Sequence, residues 1–124
     1  MALTKAEILA LDDWTTKELN VKHWGLVYIR TLTAKEGNRF EQQAAQGAAT
    51  RDDFYAKAAV LFLSDDNGNR LFDDSDVDAL NHKSLDALKA VVEAGMKLNG
   101  YTSEEIDELE KNSETTQPAG SSSV

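Results

Sequence analysis

Three times in this chain a threonine is followed, three residues later, by a glutamate just ahead of apolar residues at helical spacing. The pairs are Thr4 with Glu7, Thr33 with Glu36 and Thr102 with Glu105. Each reads as a capping box. The threonine hydroxyl accepts from a free N–H of the first helical turn, and the glutamate carboxylate accepts from the threonine's own N–H. Three helix starts are thereby set within 124 residues. Leu3 with Ile8, and Tyr101 with Ile106, add hydrophobic-staple spacing around the first and last boxes. The first helix is expected over Leu3 to about Asp13, with Ile8 and Leu11 on one apolar stripe. The second runs from Ala34 to about Gln46, with Phe40 on its apolar side and Gly47 as its stop. Gly37 weakens its first turns by roughly 1 kcal/mol relative to Ala. The last helix runs to about Asn112.

Between these lie further helical stretches. Thr50 is placed to cap a helix from Arg51 to about Leu63, with Phe54, Ala58, Leu61 and Phe62 on one face and at the centre of the core. Asn67-Gly68 is a tight-turn signal, because both residues tolerate positive φ. Asp74 or Ser75 then caps a short helix over Asp76 to His82 that uses Val77 and Leu80. Ser84 caps the longest helix, Leu85 to Asn99. Its apolar face is Leu85, Leu88, Val91, Val92 and Met96, and Gly100 ends it.

One stretch changes period. Leu19, Val21 and His23 alternate with Glu18, Asn20 and Lys22, as in a half-buried strand. Leu26 to Thr31 is rich in β-branched and aromatic residues, so a hairpin turning near His23-Trp24-Gly25 is expected. Two strands alone are marginal and must lean on helices or on another chain. Their edges offer unpaired backbone groups, one route to a homo-oligomer. The fold class is therefore α+β: a mostly helical single domain over residues 1–112, with one small β-hairpin in its N-terminal half. Residues 113–124 hold the only proline, Pro118, and too little apolar content to fold; they are expected to form a disordered tail.

The composition narrows the chemistry. No cysteine is present, which excludes disulfides and thiolate catalysis. The net charge of −9 argues against a nucleic-acid partner, because phosphate attraction needs a basic surface. It favours a basic partner instead. No apolar run approaches the roughly 20 residues of a membrane span, and the N-terminus lacks a signal-peptide core. A calcium loop around Asp65, Asp66, Asn67 and Asn69 fails in both registers. With Gly68 at the sixth position, Leu63 takes the first ligand place; starting at Asp65 puts Arg70 where glycine belongs. His23 and His82 lack zinc-site spacing. No phosphate-binding glycine loop appears, and Glu104 to Glu110 reads as a solvated helix face. Neither catalytic residues nor metal or cofactor ligands are expected. Trp14, Trp24 and Tyr28 border or occupy the hairpin, where such rings serve the core first and an interface second.

Several blocks, in order, carry a resemblance. The first is Val21-Lys22-His23-Trp24-Gly25, then Val27, Ile29-Arg30, Leu32-Thr33, Glu36 and Phe40-Glu41. The second is Leu63, Asp65-Asp66, Gly68-Asn69-Arg70-Leu71-Phe72, Asp76 and Leu80. The third is Ser84, Leu88 and Leu98-Asn99-Gly100. In this order and spacing the chain resembles the tail assembly chaperones of long-tailed siphophages, encoded just before the tape-measure protein. Leu26, where that pattern has a small residue, and Gly37, where it has a basic one, depart from it. The resemblance implies a non-catalytic protein of the host cytoplasm. It would bind the tape-measure protein, keep it soluble and help recruit tail-tube subunits, in some cases through a frameshifted longer form, and it would be absent from the mature virion. The alternative is a small structural morphogenesis protein for tail completion or head–tail joining. Expected partner-contact residues are Trp24, Tyr28, Ile29, Arg30 and Phe72.

Overall fold

A computed structural model describes residues 1–46 and 52–114. Among them the chain is a mostly helical α+β fold built on a three-stranded antiparallel sheet. The elements are α1 (Lys5–Leu9), β1 (Thr16–Val21), β2 (Gly25–Arg30), α2 (Ala34–Ala45), α3 (Phe54–Phe62), β3 (Leu63–Ser64), α4 (Val77–Leu80), α5 (Leu85–Leu98) and α6 (Ser103–Glu114). A 3₁₀ turn, Asp74–Asp76, leads into α4.

All three capping boxes form. Glu7, Glu36 and Glu105 donate their backbone N–H groups to Thr4, Thr33 and Thr102 at 3.1–3.2 Å, and each threonine N–H returns to the paired carboxylate at 2.8–3.1 Å. The first helix is shorter than expected, ending at Leu9 rather than near Asp13, and buries none of its residues. The expected cap at Asp74 or Ser75 is instead Asp73, whose carboxylate accepts from the Ser75 N–H while its own N–H reaches the Asp76 carboxylate. Leu85, expected on the apolar face of the longest helix, is exposed at its first turn. Helix α6 continues to Glu114, past the expected domain end at Asn112. Gly47, Thr50, Arg51 and positions 115–124, to which a helix stop, a cap, a helix start and most of the tail were assigned, lie outside the described residues.

The hairpin forms with Val21 opposite Gly25 and the turn at Lys22-His23-Trp24. His23 and Gly25 both take positive φ there, 74° and 105°. The sequence pattern misses the third strand. Helix α3 ends at Phe62, and the chain extends at once so that Leu63 pairs with Ile29 and Ser64 with Tyr28. β2 is therefore the middle strand, and the hairpin leans on the protein's own chain. The Asn67-Gly68 turn then folds back, with Gly68 at φ 88° and Ser64 bridged to Arg70.

The core lies between the sheet and the helices. Helix α5 packs against α3 and against both long strands, α2 packs on α3, and α6 on α5. Phe40 sits at the centre, with ring centroids 6.2 Å from Phe54, 5.3 Å from Phe62 and 5.9 Å from Tyr101. Phe54, Ala58, Leu61 and Phe62 are buried as their spacing predicts. Ala56, Ala59 and Val60 are buried too, so α3 is enclosed on most sides. At Gly95 of α5 the Phe62 ring lies where a Cβ would stand, only 2.4 Å away. The absent side chain lets the two helices approach. Helix α5 ends in a Schellman motif: Gly100 at φ 91° turns the chain, and the Tyr101 N–H reaches the Met96 carbonyl at 3.0 Å. Its capping residue Asn99 also holds the sheet. The Leu32 N–H donates to Asn99 Oδ1 at 2.8 Å, and Asn99 Nδ2 donates to the Arg30 carbonyl at 3.3 Å and to Gly95 O at 2.7 Å.

Candidate interaction surfaces

The turn after β3 is a polar knot centred on Asp65. The Asp65 carboxylate accepts from the N–H groups of Asn67 (2.8 Å) and Asn69 (3.0 Å). These bonds, the one from Asn69 foremost, hold its pKa below the usual carboxylate value. Both amides donate to Oδ1, and the Asn69 side-chain amide lies 3.4 Å from Oδ2. The Trp14 indole N–H donates to the Asn67 carbonyl at 3.1 Å, and its ring covers Gly68 so closely that a Cβ there would stand 2.1 Å from Nε1. Glycine is required twice, by φ and by the ring. Among the described residues no group of three or more His, Cys, Asp or Glu is placed to hold a metal ion.

The five expected contact residues do not form one outward face. Ile29 is fully buried on the core side of β2. Arg30, 6% exposed, is an internal strut: one guanidinium nitrogen donates to the Gly68 carbonyl at 3.0 Å and another pairs with the Glu36 carboxylate. It ties the sheet, the turn and the start of α2 together, and its Nε finds no partner. In this fold Ile29 and Arg30 offer a partner almost no side-chain surface. Tyr28 and Ile29 are also paired on both sides, so they do not lie on a hairpin edge as expected. The open edge is the outer side of β1. Tyr28 is half-buried, with its hydroxyl donating weakly to Glu18 at 3.4 Å; the Glu18 charge pushes the phenol pKa up. Trp24 and Phe72 are half-buried and packed against the core cluster.

Apolar surface is concentrated elsewhere. Leu3, Ile8, Leu9 and Leu11, on and beside α1, are 56%, 53%, 75% and 51% exposed. The stripe that the first capping box predicts is present, but it points at solvent. Sequence reasoning missed this because a helix stripe signals burial without saying against what. The usable signal was the acidic pair Asp12-Asp13 directly after it, which ends the apolar pattern after barely two turns.

Ion pairs elsewhere are at the surface. Arg39 and Arg70 meet Asp74 at 2.8 and 3.3 Å, and the Arg39 bond foremost lowers the Asp74 pKa. No described helix is long and apolar enough to cross a membrane. Compared with protein families, curated proteins and solved structures, the chain matches none.

Proposed function

We propose that this chain is a phage tail assembly chaperone. It binds the tape-measure protein in the host cytoplasm, keeps it soluble, helps recruit tail-tube subunits without catalysis, and is left out of the finished particle. The resemblance of its ordered blocks, from Val21-Lys22-His23-Trp24-Gly25 to Leu98-Asn99-Gly100, motivates the reading. The structural observation that supports it best is the exposed apolar set of α1 on a protein of net charge −9. A long helical client without its tube exposes apolar faces. A small partner that covers such a face with leucines and brings excess charge opposes its aggregation. The contact surface in this reading is α1, with Trp24, Tyr28 and Phe72 as half-buried secondary anchors.

The test is co-expression with the tape-measure protein encoded beside it, followed by solubility and pull-down assays. Soluble tape measure that co-purifies with this chain is expected. The double variant Ile8→Ser/Leu9→Ser, which leaves the core untouched, is expected to fold normally and lose most of that solubilisation. A folded chain that neither binds nor solubilises the tape measure, yet persists in purified particles, overturns the proposal in favour of a joining or completion role.

A further inference from the structure

A second surface lies along the seam between α2 and α6. A groove of about 340 Å³ is lined by Phe40, Ala44, Met96 and Leu109 below, and by Glu41, Glu105 and Glu108 at its sides. Beyond Tyr101 it meets a second, more polar hollow of about 420 Å³ that shares Glu41, Tyr101 and Glu105. The Tyr101 hydroxyl donates to Glu41 at 2.7 Å and bridges the seam where the two hollows join. Among the described residues three carboxylates and no lysine or arginine line these hollows. The basic side chains of α2 are not at the seam, and Arg39 is engaged with Asp74.

From this geometry we infer that the α2–α6 seam is a docking groove for a basic amphipathic helix, which sets one or two apolar side chains against Ala44, Ala45 and Tyr101, over a floor of buried Phe40, Met96 and Leu109, and pairs flanking lysines or arginines with the exposed Glu41, Glu105 and Glu108. The volume sits at the low end for a ligand pocket, enough for anchor side chains but small for a whole small molecule. Helix-in-groove recognition has this form, with apolar anchors at i, i+3 and i+4 between charged neighbours. Charge selects the occupant. A second copy of this chain carries −9 and is repelled by the rim, whereas a cationic helix is steered toward it. Glu105 already caps α6 through the Thr102 N–H at 2.8 Å, and Glu41 accepts from Tyr101, so both carboxylates are held in place before a partner arrives.

The inference stands apart from the α1 surface and from the chaperone reading, and its test keeps them separate. The probe is a fluorescein-labelled 18-residue helix of leucine and lysine in amphipathic pattern, titrated with the full chain by anisotropy. Its charge-reversed counterpart, with glutamate for lysine, is the control. The lysine helix is expected to bind and to lose affinity in 0.5 M salt, because the rim is exposed and screened. The glutamate helix is expected not to bind. Ala45→Trp, which fills the groove mouth, and Glu108→Lys, which reverses one exposed rim charge, are each expected to weaken binding about tenfold. Leu85→Ser, at an exposed position in neither surface, is expected to leave it unchanged. Thermal melts establish that the variants are folded, and Glu108→Lys decides the matter if Ala45→Trp is not. Unaltered affinity in both folded groove variants overturns the inference. So does loss of binding through Leu85→Ser, or through Leu9→Ser on α1 alone, or self-association of the chain that Glu108→Lys abolishes.

Discussion

Helices α1 and α6 start from the same chemistry and meet opposite fates. Both open on a threonine–glutamate capping box preceded by a large apolar residue, and both carry an apolar stripe. On α6 that stripe is buried, with Ile106 and Leu109 at 5% and 7% exposure. On α1 nothing is buried. The difference lies in what the chain does before the helix. The Schellman turn at Gly100 throws the chain back along α5, and Tyr101 wedges edge-on against Phe40, so α6 starts already aimed at the core. Ahead of the box on α1, Leu3 is 56% exposed rather than wedged into the core. After α1 the chain is tied to the domain at Trp14, which clasps the Asn67-Gly68 turn. A cap decides where a helix begins; the neighbouring turn decides what its face will touch.

The sharpest test of that contrast is a matched pair of truncations. Leu109→Ala is expected to cost about 2–4 kcal/mol in chemical denaturation, the usual result of emptying a buried leucine site. Leu9→Ala is expected to stay within about 0.5 kcal/mol. Comparable losses would mean that α1 docks on the domain after all. A second pair carries the contrast between crowded and open helix faces into the body of the fold. Gly95→Ala forces a methyl into the Phe62 ring and is expected to destabilise by about 1–3 kcal/mol. Gly37→Ala on α2 meets nothing within 4 Å and is expected to stabilise by about 0.5–1 kcal/mol, because alanine is the better helix former. The smallest effect concerns the wedge that aims α6. Burial foremost, then the hydrogen bond to Glu41, pushes the Tyr101 phenol pKa well above its ordinary 10.0. A raised pKa in the folded state means that the native protein holds a proton the unfolded chain releases. This contribution is whole below pH 10.0 and declines above it. Tyr101→Phe is expected to cost about 0.5–1 kcal/mol at neutral pH and to flatten the loss of stability above pH 10.0, as read from melts across the alkaline range.

Local chemistry made much of this fold legible. The capping boxes, the hairpin with its turn at Lys22-His23-Trp24, one residue before the expected place, the Asn67-Gly68 turn and the burial of Phe54, Ala58, Leu61 and Phe62 all follow from residues close together in the chain. The third strand was hidden because Leu63 continues an apolar helical run, and only its pairing with Ile29, far away in sequence, makes it extended. Arg30 reads from sequence as a partner-contact residue. Its burial depends on the Gly68 carbonyl and Glu36 arriving from two other elements. The interaction surfaces were the least legible part. Exposure of Leu9 and concavity at Ala44 are properties of how elements fit, which no spacing rule encodes.

Asn99 makes one more point, about time rather than space. Its side chain joins the end of α5 to Leu32 and Arg30 across 67 and 69 positions of sequence. Such a contact forms only after a long loop has closed, and the entropy of closure must be met before the bond contributes anything. The clasp is therefore expected to form on the late side of the folding barrier. Once made, it leaves the Leu32 amide no shallow route to solvent: fraying of the hairpin tip does not release it, and parting β2 from α5 does. Hydrogen exchange at that single amide is thus expected to report the separation of sheet from helices, with protection approaching that of the whole domain.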